Sequence, residues 1–191
     1  MQPREFLKAQ TRIAHERVDR AFTRFDLSQP IGYRLFLETH HAVLPTCELA
    51  LARSSAATLL VDWPQRVRTH ALEHDLTALQ GHQADDPRMA EPLSPAAAFG
   101  MMYVLEGSRI GGAVLASRLP ENSDAIRLGA TQYLRHGQGL GLWSSFLAAL
   151  NASPFLYDEI DVVLASALQT FSLFESAADS VSVAQTHLSL I

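Results

Sequence analysis

Apolar residues recur along most of the chain at three- and four-residue spacing, the period of a helix with one buried face. Residues 4–25 carry Phe6, Ala9, Ile13, Val18, Ala21, Phe22 and Phe25 in that pattern, and most other positions there are charged. After a turn at 26–30, a second helix is predicted over 31–41. Pro45 interrupts it before it resumes through Ala52. Residues 54–55 and 62–64 read as loop. A third helix, 64–80, places Val67, Ala71, Leu72, Leu76 and Leu79 inward and is closed by Gly81. Residues 82–95 hold too many breakers to be regular. Ser94 then suits an N-cap and Pro95 a first helical position, opening a helix that ends near residues 118–120. A turn at 121–124, a short element over 125–135 and a loop over 136–141 follow. The next helix, 142–151, turns Trp143, Phe146, Leu147 and Leu150 inward. The last, after Ser153-Pro154, runs to about Ala178 and buries Ile160, Val163, Leu164, Leu168, Phe171 and Phe174. The tail from 180 to 191 has no assignable pattern. With no hairpin signal and no repeat, the prediction is an all-α single domain.

The helix beginning at Pro95 breaks a rule. Apolar residues at 99, 103, 104, 110, 114 and 115 keep its period, yet Gly107, Gly111 and Gly112 stand in its middle, each costing about 1 kcal/mol relative to alanine. Missing Cβ atoms let a helix approach a flat partner closely, or bend. The partner is a second helix, the commoner use of such spacing, or a planar ligand.

Composition narrows the classes. A chain of 191 residues that is 48% hydrophobic can bury one substantial core. A net charge of −5 without a basic stripe argues against a nucleic-acid partner. No signal-like segment and no apolar run of about 20 residues is read, so a soluble cytoplasmic protein with no membrane partner is expected. Cys47, the single cysteine, cannot form an internal disulfide and reads as a small buried hydrophobe.

Three groups of residues carry candidate chemistry. His15 lies beside the apolar face of the first helix with Lys8 two turns earlier, on the order of 10 Å along the axis. An imidazole and an ammonium so placed could hold two ends of one anionic cofactor, or be a partly buried histidine and a surface lysine. His70, Glu73 and His74 have the spacing of inverted zinc-protease motifs. Glu38 and His41 have the Glu-x-x-His spacing of di-iron bundles, but a second such motif in register is missing. Both metal patterns fit a solvated helix face better.

Two stretches together point further: residues 7–15, Leu-Lys-Ala-Gln-Thr-Arg-Ile-Ala-His, and residues 103–112, Tyr-Val-Leu-Glu-Gly-Ser-Arg-Ile-Gly-Gly. With them, and with a looser match at Tyr133-Leu134, Trp143 to Leu150 and Ala167 to Phe171, the chain resembles the haem oxygenase family. The likeness is greatest to its bacterial branch, which includes enzymes paired with bacteriophytochromes. The resemblance implies a haem held between two helices. His15 matches the proximal iron ligand, Lys8 the lysine that meets a propionate, and Tyr103 a tyrosine that hydrogen-bonds a propionate. Gly107, Gly111 and Gly112 match the distal glycines of a kinked helix over the ring. Ser108 stands where animal members have an aspartate, leaving distal chemistry to water and backbone.

The implied reaction opens haem, both substrate and cofactor, to biliverdin with release of carbon monoxide and ferrous iron. It uses O2 and electrons from a separate reductase or ferredoxin, with a bacteriophytochrome as a possible recipient of the product. Animal members draw further cations from the helix that here spans 142–151, which has none; Arg109, Arg127, Arg135 and His136 are the candidates to replace them. Two alternatives keep the fold. One is a haem carrier or sensor without ring opening. The other is a thiamin-degrading enzyme, which would need Cys47 as an activated nucleophile.

Overall fold

Prolines and one serine cap set several helix starts. Pro30, Pro45 and Pro95 each sit in a first turn, where a missing N–H leaves no hydrogen bond unmade, and Ser94 accepts a hydrogen bond from the Ala97 N–H at 3.2 Å. The computed structural model describes residues 3–54, 56–85, 90–153 and 158–188, and every regular element among them is a helix. In chain order these are α1 (Pro3–Phe22), α2 (Pro30–His41), α3 (Leu44–Arg53), α4 (Ala56–Leu59), α5 (Trp63–Arg66) and α6 (Thr69–Ala78). Then come α7 (Pro95–Arg118), α8 (Asp124–Arg127), α9 (Gln132–Arg135), α10 (Leu142–Ala152) and α11 (Ile160–Leu188).

The long helix α11 is the central support. It packs against both α7 and α1, and also meets α2, while α9 and α10 lean on α7 from other sides. One connected apolar core includes Tyr33, Phe36, Leu37, Leu44, Leu51, Leu72, Leu76, Met102, Phe146 and Leu150. A second, smaller cluster of Ala14, Val104, Ala167 and Phe171 lies where α1, α7 and α11 meet. By length and composition residues 160–181 would cross a bilayer, against the expectation that no stretch is apolar enough. Here Val163, Ala167, Phe171, Phe174 and Ala178 form a buried stripe, so this is a core helix.

Other expectations are corrected in detail. In α1 the buried residues are Leu7, Thr11, Ala14 and Ala21, whereas Ala9 and Ile13 are exposed, Ile13 by 62%. The face is rotated because Thr11 behaves as an apolar residue: its hydroxyl is spent on the Leu7 carbonyl at 2.7 Å. The helix expected over 64–80 is two, broken at Val67 and Arg68, where the Glu48 carboxylate takes the N–H groups of Arg68 (2.9 Å) and Thr69 (3.1 Å). A buried acid from another helix thus caps α6, a signal with no local trace. Before Gly81, Gln80 turns left-handed (φ 53°), and the Gly81 N–H meets the Leu76 carbonyl at 2.8 Å. The short element over 125–135 is two single turns. The final helix continues past Ala178 to Leu188; the start expected for it, beside Pro154, lies outside the described residues. Leu168, expected inside, is 37% exposed.

Gly100, a glycine not singled out above, lets the backbones of α7 and α11 touch. A Cβ there would collide with the Val163 carbonyl and the Ser166 side chain on α11. Alanine at 100 forces the α7–α11 seam apart, so Gly100→Ala should cost about 1–3 kcal/mol. Thermal unfolding would read this as a Tm lower by roughly 2–4 °C per kcal/mol; an unchanged Tm would show that the seam has slack.

Candidate active site

Between α1 and α7, above α11, lies a cavity of about 670 Å³. From α1 it is lined by Arg4, Lys8, Thr11, Arg12, His15, Glu16, Val18, Asp19 and Phe22. From α7 come Tyr103, Val104, Gly107, Ser108, Ile110, Gly111, Gly112 and Leu115. Lys8, His15, Tyr103, Gly107, Ser108, Gly111 and Gly112 therefore face one space, whereas Arg109, Arg127, Arg135 and His136 do not line it.

His15 is held by its own helix. Its Nδ1 lies 3.0 Å from Asp19 Oδ2, one turn on, with both side chains more than half exposed. Phe171 of α11 backs the ring edge-on at 5.7 Å. Lys8 stands with Arg4 and Arg12 at four-residue spacing, a row of cations on the N-terminal part of α1. Arg4 and Arg12 escaped the sequence reading, although the spacing from Lys8 would have found them.

The glycines of the opposite wall have different surroundings. A Cβ at Gly107 would rest 3.6 Å from the Trp143 ring, and one at Gly112 would come within 3.3 Å of the Leu134 carbonyl. A Cβ at Gly111 would meet nothing within 4 Å. The cost of that glycine is therefore not explained by any neighbour among the described residues. Tyr103, half-buried against Trp143 with ring centres 5.8 Å apart, has its phenol pKa raised by burial.

Arg109 turns away from the cavity, which corrects its expected role at a propionate. Its Nε and Nη2 donate to the two oxygens of Glu106 at 2.9 and 2.8 Å, Nη2 also donates to the Arg66 carbonyl, and Nη1 lies 3.0 Å from His136 Nδ1. Glu106 is shared with Arg66, whose Nη1 is 2.6 Å from Glu106 Oε2 and whose Nε and Nη2 take Asp62 at 2.7 Å each. His136 must accept from Arg109, so it is neutral; burial and the adjacent guanidinium hold its pKa down at about 4. Arg127 pairs with Asp124 at 2.7 Å on the surface, and Arg135 borders a smaller neighbouring depression instead.

The inner end of the cavity holds residues the sequence reading missed: Phe36, His40, Arg68, Tyr133 and Phe174. Asp75, its pKa raised by burial, accepts the N–H groups of Gln132 (3.1 Å) and Tyr133 (2.9 Å) and so fixes α9 there. His40 is ringed by Phe22, Phe36, Tyr133 and Phe174 at 4.3–5.6 Å between centres. Its Nδ1 donates to the Phe36 carbonyl at 2.8 Å, and burial lowers its pKa to about 4. No residue-level signal marks Arg68, because its position depends on the break between α5 and α6.

The competing metal readings fail. Among the described residues no group of three or more histidines, cysteines or carboxylates could hold a metal ion. His70 pairs with Glu73 at 3.1 Å and His74 with Asp75 at 3.3 Å. Burial pushes the Cys47 thiol up to about 12, the opposite of an activated nucleophile.

Two stability measurements follow. Gly111→Ala removes the helix cost without a clash, so the ligand-free protein should gain about 1 kcal/mol, with a Tm higher by roughly 2–4 °C; a lower Tm would mean the wall is already filled. His40 stays neutral in the fold to about pH 4, whereas unfolded histidine protonates near 6.5. Between those values the unfolded state binds more protons, so His40's contribution lowers stability as the pH is lowered from 6.5 to about 4, and is constant above and below that window. Replacing His40 by leucine should shrink the Tm drop between about pH 7 and about pH 4.5. An equal drop in the variant would show that His40 is charged in the fold.

The comparisons with known proteins agree with this geometry. The family model described as "Heme oxygenase" matches residues 3–179. A curated protein named "Heme oxygenase" from Xanthomonas campestris pv. campestris (strain 8004) is 30% identical over 118 residues, covering 62% of this chain and 71% of that protein. Among solved structures, the NO- and CO-bound heme oxygenase from Neisseria meningitidis superposes with a TM-score of 0.73. That match covers 94% of this chain and 92% of the other at 18% identity, which is a likeness of fold. With the family model spanning nearly the whole chain, and a wall of glycine facing a histidine across one cavity, this protein belongs to the haem oxygenase family.

Proposed function

We propose that this chain opens haem oxidatively to biliverdin, with release of carbon monoxide and ferrous iron, using O2 and electrons from a separate reductase or ferredoxin. Gly111 carries the reading. It keeps an exposed helical backbone bare where alanine would fit and be more stable, a cost that a flat ligand lying against it would explain.

The residues present fit a haem. The cavity volume falls within the roughly 300–1,000 Å³ usual for such sites. Val18, Phe22, Phe36, Leu115 and Phe171 offer apolar surface to a ring, and the cations Arg4 and Lys8, with Arg12 paired to Glu16 at 2.6 Å beside them, gather on one part of α1 for its carboxylates. His15 would hold the iron, with the Asp19 carboxylate 3.0 Å from its Nδ1. Tyr103, which lines the same cavity, would meet a carboxylate near that row. Gly107, Gly111 and Gly112 would form the distal wall. Ser108 would serve by holding Arg68, since its hydroxyl donates to the Leu105 carbonyl at 2.8 Å.

When bound, haem supplies the redox-active iron and the ring that is attacked. The chain's part is to hold one face through His15, to keep the other face free of ligating side chains, and to shield the ring with apolar walls. The packing of α11 inside the fold supports a soluble enzyme. The likeness to the bacteriophytochrome-associated branch supports a bilin-binding photoreceptor as recipient of the product.

Purified protein mixed with haem and given ascorbate or a reductase in air should lose its Soret band as a bilin absorption grows. A haem complex that survives reduction would overturn ring opening and leave a carrier or sensor. His15→Ala should abolish the normal five-to-six-coordinate spectrum of the complex, and an unaltered spectrum would remove His15 as ligand.

A further inference from the structure

Arg68 is 4% exposed, yet among the described residues no carboxylate lies within ion-pair distance of its guanidinium. Buried charges are normally paired, because an isolated one loses its hydration without return. The acids nearby are all committed elsewhere. Glu48 takes the backbone N–H groups of Arg68 and Thr69, Glu106 is held between Arg66 and Arg109, and Asp75 takes the N–H groups of Gln132 and Tyr133. The guanidinium is instead held by neutral groups. Its Nη2 donates to the Leu105 carbonyl at 3.0 Å and to Ser108 Oγ at 2.6 Å, and its carbon lies 5.0 Å from the centre of the Tyr133 ring. These contacts use one nitrogen, and the residue lines the cavity at its inner end with neutral His40 beside it.

We propose that Arg68 forms an anion subsite at the inner end of the cavity, apart from the cation row on α1, that favours a small monoanion of the azide or cyanide class over neutral ligands. A fixed positive charge in an apolar enclosure attracts negative charge far more strongly than one in water. The Ser108 hydroxyl and the Tyr133 ring keep it in place without neutralising it. The subsite rests on the haem reading for its role, since it would also favour negative charge gathering over the open face of the ring.

Two variants separate charge from shape: Arg68→Gln keeps a donor for Ser108 and Leu105 but has no charge, and Arg68→Lys keeps the charge. Azide, cyanide and neutral imidazole are titrated into the ferric haem complex by absorption. In Arg68→Gln the azide affinity should fall about tenfold relative to imidazole, and Arg68→Lys should restore most of it. Parallel changes for azide and imidazole would overturn the subsite. So would a loss of haem affinity with the azide-to-imidazole ratio unchanged, which would make a haem carboxylate the partner of Arg68. Should the glutamine variant not fold, Arg68→Lys against the unaltered chain still tests the ratio. A second readout needs no haem: the Arg68 Nε–H resonance of the ligand-free protein should shift saturably with azide. Failure of haem to bind the unaltered chain sinks the haem reading alone, and a missing resonance shift then sinks the subsite.

Discussion

The seam between α7 and α11 decides where everything else can lie. At Gly100 the two backbones come close enough that a Cβ would strike the Val163 carbonyl, so the first half of α7 is laid flat on its support. α1 packs on the same support through Ala14, Val18 and Phe171. With both helices seated on α11, their facing surfaces above the seam are left apart, and the cavity is the space between them. Glycine serves two purposes along one helix: at 100 it admits another backbone, and at 111 it leaves a surface bare.

Ion pairs as well as packing tie the wall to its neighbours. Glu106 and Arg109 on α7 are tied to Arg66 on α5 and, through His136, to the loop before α10. Such buried pairs add little net stability, because desolvation offsets the attraction, but they have strict geometry. A helix weakened by three glycines in six residues gains a fixed rotation from them. The same economy appears in Glu48 and Asp75, two buried carboxylates that each take two backbone N–H groups and thereby station Arg68 and Tyr133 at the cavity. Arg68 and His40 thus line the same cavity as Ser108 and the glycines.

Much was legible in local order. The all-helical class and the start of α7 at Ser94 and Pro95 follow from period, caps and prolines, which act within a few residues of themselves. His15, Lys8, Tyr103 and the glycine triplet were identified as candidates because they fall in two short stretches with unusual content, and the fold brings those stretches to opposite sides of one cavity. The facing of α1 was misjudged because a hydroxyl that bonds its own helix, as Thr11 does, counts as polar in a pattern and as apolar in a core.

What the sequence determined by itself is whatever depends on neighbours along the chain: the helical period, the capped ends, and the cost of glycine in a helix. Only the tertiary structure decided which glycine meets a helix and which, among the described residues, meets nothing, that Arg109 is spent on Glu106, and that Arg68 is buried with no acid of the described residues beside its guanidinium. These outcomes depend on groups tens of residues apart, joined by burial and by the requirement that each buried polar atom find a partner. A linear pattern shows that a glycine or an arginine is present; only the packed fold shows what, if anything, stands opposite it.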